Sequence, residues 1–267
     1  MSEHKEQLLY WIEERWKIRS LKDQGFSPPW TRDPVLRDNH FCNVMREDDK
    51  VTRWIREHFG KHPAKTAPMN MLVARLVNSP RSLEAMGWPF DEWGEFEENL
   101  FRNVMSQKGA WGGACIVGTG GHKQSKEVYA QEIISSSAGR LKRLHFSGGL
   151  KPAHRALTGI KGIGSFMAAQ IIADLKNTDH HQLARAKDWY SWAAHRPGSL
   201  RGLGLFVGEP ITSSMFTKEL MNCKNYLEEK LDLRVPIFCN QDLQHCLCEY
   251  DKYVSIKAGG LSKRNYG

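Results

Sequence analysis

Thirteen residues near the middle of the chain, Leu157-Thr158-Gly159-Ile160-Lys161-Gly162-Ile163-Gly164-Ser165-Phe166-Met167-Ala168-Ala169, constrain the fold more than any other stretch. They lie where two segments with helical patterning meet, 151–158 and 164–176. Gly162 and Gly164 let the backbone turn tightly and come close to a ligand. Ile160 and Ile163 would anchor the turn in a core, and Ala168 permits close helix packing. The second helix begins at the turn itself, so its unbonded N–H groups and positive dipole end point at whatever sits there. A DNA phosphate suits that place, and Lys161 adds charge. The plainer alternative is a glycine helix–turn–helix with no ligand.

The rest of the chain is patterned in the same way. Helices are expected over 3–22, where Leu8, Leu9, Trp11, Ile12, Trp16 and Leu21 share a broad apolar face, and over 48–59, 69–77, 90–106, 125–145, 215–231 and 240–254. Asn78-Ser79-Pro80 stops one helix and can start the next. The proline-rich run Gly25–Pro34 reads as an extended connector. Strand-like alternation is almost absent, so the expected class is all-α. The 267 residues can make one large domain or two packed helical lobes. The expected division is an N-terminal helix over 1–24 and a single helical catalytic domain over 25–267, with the hairpin at 151–176.

A net charge of +8 and a pI near 9.2 point to a polyanionic partner. No apolar run approaches the roughly 20 residues that span a bilayer, and the polar N-terminus has no signal-peptide core. No membrane contact and a cytoplasmic address are therefore expected. Six cysteines in a chain of this length give no disulfide framework. Cys239, Cys246 and Cys248 beside His245 invite a zinc reading, but there is no CxxC pair, and Cys246 and Cys248 point to different sides of a helix. Reduced core thiols fit better, and no metal site is expected. The glycine-rich stretch Gly109–Gly121, a loop or short hairpin, fails as a phosphate loop, because His122 rather than lysine follows Gly121.

The hairpin resembles the helix-hairpin-helix element with its hxGhGxxxA pattern, which implies a DNA-glycosylase-like scaffold. The resemblance assigns a sequence-independent phosphate contact to Lys161, Gly162, Ile163, Gly164 and Ser165. Helix-hairpin-helix glycosylases carry a catalytic aspartate beyond the hairpin, and Asp179 and Asp188 bracket its position. Bifunctional members also carry a lysine two positions after the last glycine. Phe166 stands there, which disfavours a Schiff-base lyase.

Further segments are more specific. Phe41-Cys42-Asn43-Val44-Met45-Arg46-Glu47-Asp48-Asp49-Lys50 ends in five consecutive charged residues. Asp188-Trp189 precedes Arg196-Pro197-Gly198-Ser199-Leu200-Arg201-Gly202-Leu203, which reads as two arginines around a tight turn. Leu247-Cys248-Glu249-Tyr250-Asp251-Lys252-Tyr253 alternates acids with aromatics, and Lys263-Arg264-Asn265-Tyr266 lies near the end. Together with Pro28-Pro29-Trp30-Thr31-Arg32-Asp33-Pro34 and the hairpin, these segments resemble the alpha-glutamyl/putrescinyl thymine pyrophosphorylases, or amino acid:DNA transferases. The same helical module accompanies the P-loop of 5-hydroxymethyluracil DNA kinases. The likeness runs in order from about Pro28 to Tyr266. Two departures, Ala194-His195-Arg196-Pro197-Gly198 for a family A-G-P-G turn and Ala258-Gly259-Gly260-Leu261 for a GEG-type run, bear on which group is transferred.

The resemblance implies hypermodification of thymine in bacteriophage DNA, in the cytoplasm of the infected bacterium. The substrate would be double-stranded DNA whose 5-hydroxymethyluracil has been phosphorylated or pyrophosphorylated by a partner 5-hydroxymethyluracil DNA kinase. A free amino acid or polyamine would displace that group. The modified base must leave the stack, and Trp189, Trp192, Tyr250 or Tyr253 could hold it. Arg201 with the Gly198-Ser199 backbone is the leading clamp for the departing phosphate, and Arg46 the second; Arg196 and Arg201 could instead contact the DNA backbone. A general base for the amine comes from Asp188, Glu249 or Asp251, with Asp48 or Asp49 as alternatives. Asp251 could equally pair with Arg46 or Lys252 to hold the fold. Cys42 or Cys248 could add to the pyrimidine first, although both sit in apolar settings. No cofactor is required, and Mg2+ can accompany the phosphates. Two other classes compete: a glycosylase that excises an altered base, and a non-catalytic DNA-binding partner of the kinase.

Overall fold

Apolar residues at helical spacing become helices throughout, and no strand forms among the described residues of the computed structural model, 3–113, 123–232, 234–236 and 238–260. Twelve α-helices are described: α1 Glu3–Asp23, α2 Pro34–Asp38, α3 Lys50–Phe59, α4 Ala67–Val77, α5 Pro80–Ala85, α6 Glu98–Met105, α7 Lys126–Arg143, α8 Leu150–Thr158, α9 Ser165–Leu175, α10 Pro197–Val207, α11 Phe216–Lys230 and α12 Asn240–Lys257. The class is all-α. Among the described residues no helix is long and apolar enough to cross a membrane. Residues 114–121 of the glycine-rich stretch with His122, and Leu261 with the basic tail Lys263–Tyr266, lie outside the described residues.

The chain divides into two compact units, one of Met1–Asp49 with Tyr190–Gly267 and the other of Lys50–Trp189. In the first, Leu8, Trp11 and Ile12 of α1, Phe206 of α10, Leu220 of α11 and Leu247 of α12 share one apolar core. Tyr250 and Tyr253 of α12 are also buried there. The second unit is organised on α4, which is buried along its whole length and packs against α7 and α9. Arg75 interrupts this apolar helix, and a charge there must be paired to be tolerated. Its guanidinium meets both carboxylate oxygens of fully buried Asp174 in α9, each at 2.6 Å. Arg56 of α3 joins the same carboxylate at 3.5 Å, and Thr52 accepts from Arg75 at 3.1 Å.

Two stretches depart from the expected pattern. Residues 90–97 are not helical, and the helix begins only at Glu98. Asn70 of α4 explains this, since its side chain accepts from the Phe90 amide at 2.8 Å and donates to the Phe90 carbonyl at 2.9 Å, holding that residue outside a helix. The Arg196–Leu203 run is not a tight turn but the start of α10. Pro197 occupies the first turn, where its missing N–H costs nothing. Ser199 closes that turn by accepting from the Arg196 amide at 2.9 Å. A Cβ at Gly202 would lie 2.1 Å from the Leu247 carbonyl oxygen, so this glycine is what lets α10 lie directly on α12.

Candidate functional site

The Phe41–Asp49 loop and α12 are two halves of one site in the first unit. Arg15 of α1, only 2% exposed, holds the loop from one side by donating to the carbonyls of Phe41 and Cys42 at 2.9 and 3.0 Å. Successive turns of α12 hold the other side. Asp242 accepts from the Arg46 amide at 3.1 Å, and Cys246 lies 3.4 Å from the Val44 carbonyl. Glu249 accepts from the Cys42 amide at 3.1 Å, and Lys252 donates to the His40 carbonyl at 2.6 Å. Within the loop, Asp49 accepts from the Asn43 amide at 3.2 Å, and the Asn43 side chain donates to the Asp48 carbonyl at 3.1 Å.

This stitching gathers Cys42, Asp49 and His245, all half-buried, so that one ligand atom from each lies within 4.8 Å of the others. The Nε2 of His245 is buried and has no hydrogen-bond partner among the described residues. Burial alone would raise the Glu249 carboxyl, but the Lys252 ammonium at 2.9 Å, His245 and the Cys42 amide together bring it below its ordinary value. Burial pushes the Cys42 thiol well up, and the Glu249 and Asp49 charges push it further. Cys248 is raised mainly by burial, with Arg196 partly offsetting it. Neither thiol is therefore a ready nucleophile at neutral pH.

Other residues expected at a site sit elsewhere in the unit. Arg201 pairs with Asp251 at 2.7 Å, and the two lie on a cleft of about 640 Å³ that His4, Leu200 and Val254 also line. Asp251 thus pairs with neither Arg46 nor Lys252. Gly198 and fully buried Ser199 belong to the first turn of α10, where the serine hydroxyl is occupied by Arg196 backbone groups. Arg46 is 8% exposed and bonds Glu47 at 3.2 Å. Tyr250 is fully buried, and its hydroxyl donates to the His4 carbonyl and Gln7 at 3.1 and 3.0 Å. No face of that ring is open to a base. Tyr253 is likewise buried on Asp33, and Trp192 is 9% exposed.

The hairpin belongs to the second unit. Gly162 has φ +89, and a Cβ there would meet Ile133 at 2.8 Å, so the position requires glycine. Lys161, Gly162, Gly164 and Ser165 are exposed around the turn, while Ile160 and Ile163 are buried. The Ile163 amide bonds the Ile160 carbonyl at 3.0 Å, so this residue anchors the turn and has no donor left for a phosphate. Asp188, one of the expected bases, is a helix cap. Its two oxygens accept from the amides of Leu150 and Lys151 at 2.7 and 3.0 Å, at the start of α8, where Gly149 has no side chain to do so. Trp189 donates to the Lys176 carbonyl at 3.0 Å and carries the Lys176 ammonium 3.8 Å from its ring centre.

The sequence reading missed the part that Asp242, His245 and Lys252 play at the loop, and the buried Arg75–Asp174 pair. The spacing of 242, 245, 249 and 252 on one face of a helix was the available signal.

The family described as 5-hmdU DNA kinase, helical domain, matches residues 2–263. The chain belongs to this family. The 5-hmdU DNA kinase of Bacillus phage SP10 is 37% identical to it over 85 residues, which cover 30% of this chain and 13% of that kinase. The match therefore spans a small part of the curated relative. No solved structure matches the chain. Within this helical-domain family the present sequence carries no GxxxxGK[ST] run, the lysine-bearing loop that cradles nucleotide phosphates.

Proposed function

We propose that this chain modifies DNA bases, replacing the phosphate or pyrophosphate on 5-(pyro)phosphomethyl-deoxyuridine with the amine of an amino acid or polyamine. The observation that carries the reading is the junction of the Phe41–Asp49 loop with α12. There the Glu249 and Asp49 carboxylates, His245 and the Lys252 ammonium meet in a half-buried place that simple DNA binding does not require. The match to the helical domain of 5-hmdU DNA kinases supports 5-hydroxymethyl-deoxyuridine DNA chemistry as the setting of this reading.

In this mechanism Glu249, held ionised, pairs with the donor ammonium and takes one of its protons, and Asp49 supports it. The freed nitrogen lone pair forms the new N–C bond at the base methylene. The C–O bond to phosphate breaks, and its electron pair leaves with the phosphate. Arg46 from the loop and Lys252 from α12 supply the positive charge that steadies the departing group. The glycine hairpin, with Lys161, grips the duplex backbone independently of sequence. Arg201 and Arg196 add basic contacts, and a DNA phosphate at Arg201 would compete with Asp251. The glycosylase alternative is weakened by Asp188, whose oxygens are already occupied at the start of α8.

The test is mass spectrometry of nucleosides from phosphorylated 5-hydroxymethyluracil DNA incubated with the protein and a mixture of amino acids and polyamines. A thymidine-plus-amine nucleoside with matching release of phosphate or pyrophosphate is the expected outcome. Intact substrate would point to a binding module, and free base with abasic sites would point to a glycosylase.

A further inference from the structure

We infer that Cys42, Asp49 and His245 form a binding site for one borderline transition-metal ion, zinc by preference, that leaves a coordination position open. The three residues come from a loop and a helix about 200 positions apart, so local sequence does not explain their meeting. Their ligand atoms lie within 4.8 Å of one another. A tetrahedral zinc site has ligand–ligand edges of roughly 3.5 Å, so closure asks each side chain to move by about an ångström.

The surroundings favour a cation. Glu249 adds negative charge beside Cys42, accepting from its amide. The buried Nε2 of His245 has no hydrogen-bond partner among the described residues, and a buried polar atom left so carries a cost that its neighbourhood must justify. A thiol that ligates a dication is deprotonated outright, and its proton is released on binding.

The donor set also chooses the metal. Thiolate and imidazole together select zinc or its neighbours over Mg2+ or Ca2+, which prefer oxygen donors. Three protein ligands rather than four leave room for water or a substrate oxygen, the arrangement of catalytic rather than structural zinc. A metal here would act as a Lewis acid on a phosphate oxygen. That role rests on the proposed transfer reaction, whereas the site itself does not.

The test uses the full chain, stripped with a chelator and then equilibrated with Co2+ alone. The expected result is one equivalent retained with proton release as the Co2+ binds, a thiolate-to-cobalt charge-transfer band in the near ultraviolet, and loss of that band when Zn2+ replaces the cobalt. The band should vanish in Cys42→Ser and persist in Cys248→Ser. In Asp49→Asn and His245→Ala, affinity should fall by at least roughly the 10–100-fold that loss of even an outer-shell partner costs. Failure of the folded wild-type chain to retain Co2+, or persistence of the band in Cys42→Ser, would overturn the site. Metal retention together with base modification that is unchanged by chelation would uphold the site and remove only its role in the reaction. Metal retention without any base modification would leave the site standing and count against the transferase reading.

Discussion

Asp188 separates a structural account from a catalytic one. Its carboxylate accepts from the Leu150 and Lys151 amides at 2.7 and 3.0 Å, and Gly149 can supply no cap of its own. A hydrogen bond to a charged group is worth about 1.5–3 kcal/mol net, but amides at a half-exposed helix start can turn to water when their cap is lost. Loss of a cap costs about 0.5–2 kcal/mol, so removing both bonds in Asp188→Ala should destabilise by about 2 kcal/mol. That corresponds to a melting temperature lower by roughly 4–8 °C. Asp188→Asn keeps one acceptor oxygen and should lose about half as much, roughly 1 kcal/mol. Calorimetry of the three proteins, alongside nucleoside analysis of their products, reads both properties. The account expects graded loss of stability with turnover retained below the transition. Unchanged melting with abolished turnover would refute it and make Asp188 a catalytic group.

Further expectations follow from the same geometry. Asp174→Asn leaves the Arg75 guanidinium buried without its carboxylate, and breaking a buried pair from one side costs about 3–5 kcal/mol; denaturant unfolding should show it. Gly162→Ala forces a side chain into φ +89 and against Ile133, at about 1–2 kcal/mol for the backbone alone, and should weaken DNA binding through a displaced turn. Lys161→Ala should weaken binding uniformly across sequences and lower the slope of log affinity against log salt by about one, measured by fluorescence anisotropy. His181 is 6% exposed, accepts from the Leu183 amide at 3.2 Å, and is held at about 4 by burial and by His180. Its folded pKa lies below the unfolded value near 6.5, so its contribution is full above pH 6.5 and is lost as pH falls toward 4, by up to about 3 kcal/mol. His181→Phe should flatten that acid limb in pH-dependent melting, and an identical limb would refute the assignment.

Much of this architecture was legible in the sequence, for identifiable reasons. Helical periodicity located α1, α4, α7, α9, α11 and α12 nearly to their ends, because each buries a continuous face. The hairpin was legible too, since Gly162 needs its positive φ and Ile160 and Ile163 their burial. Pro197-Gly198-Ser199 misled because the same residues serve turns and helix starts; only contact with α12 shows that Gly202 is a packing residue. Alternation over 248–253 suggested open aromatics, yet in a helix positions 250 and 253 share one face, and that face is inward. The pairing of the Phe41–Asp49 loop with α12 is suggested by the sequence only as an Arg46–Asp251 contact, and the actual bonds through Asp242 and Glu249 could not be read, because nothing in either string encodes a partner about 200 residues away. Asp188 looked catalytic by its distance along the chain from the hairpin, while its actual neighbour is the amide end of α8.

The central claim is that the loop and α12 form the reacting site, and Glu249→Gln tests it most directly. The glutamine can still accept from the Cys42 amide and from Lys252, so the loop should stay in place, but it has no negative charge and cannot take a proton from the donor amine. Formation of the amine-bearing nucleoside from phosphorylated 5-hydroxymethyluracil DNA should fall by about 10²–10⁴-fold, the usual contribution of a general acid–base group, with melting close to wild type. Turnover by Glu249→Gln equal to that of wild type would contradict the account.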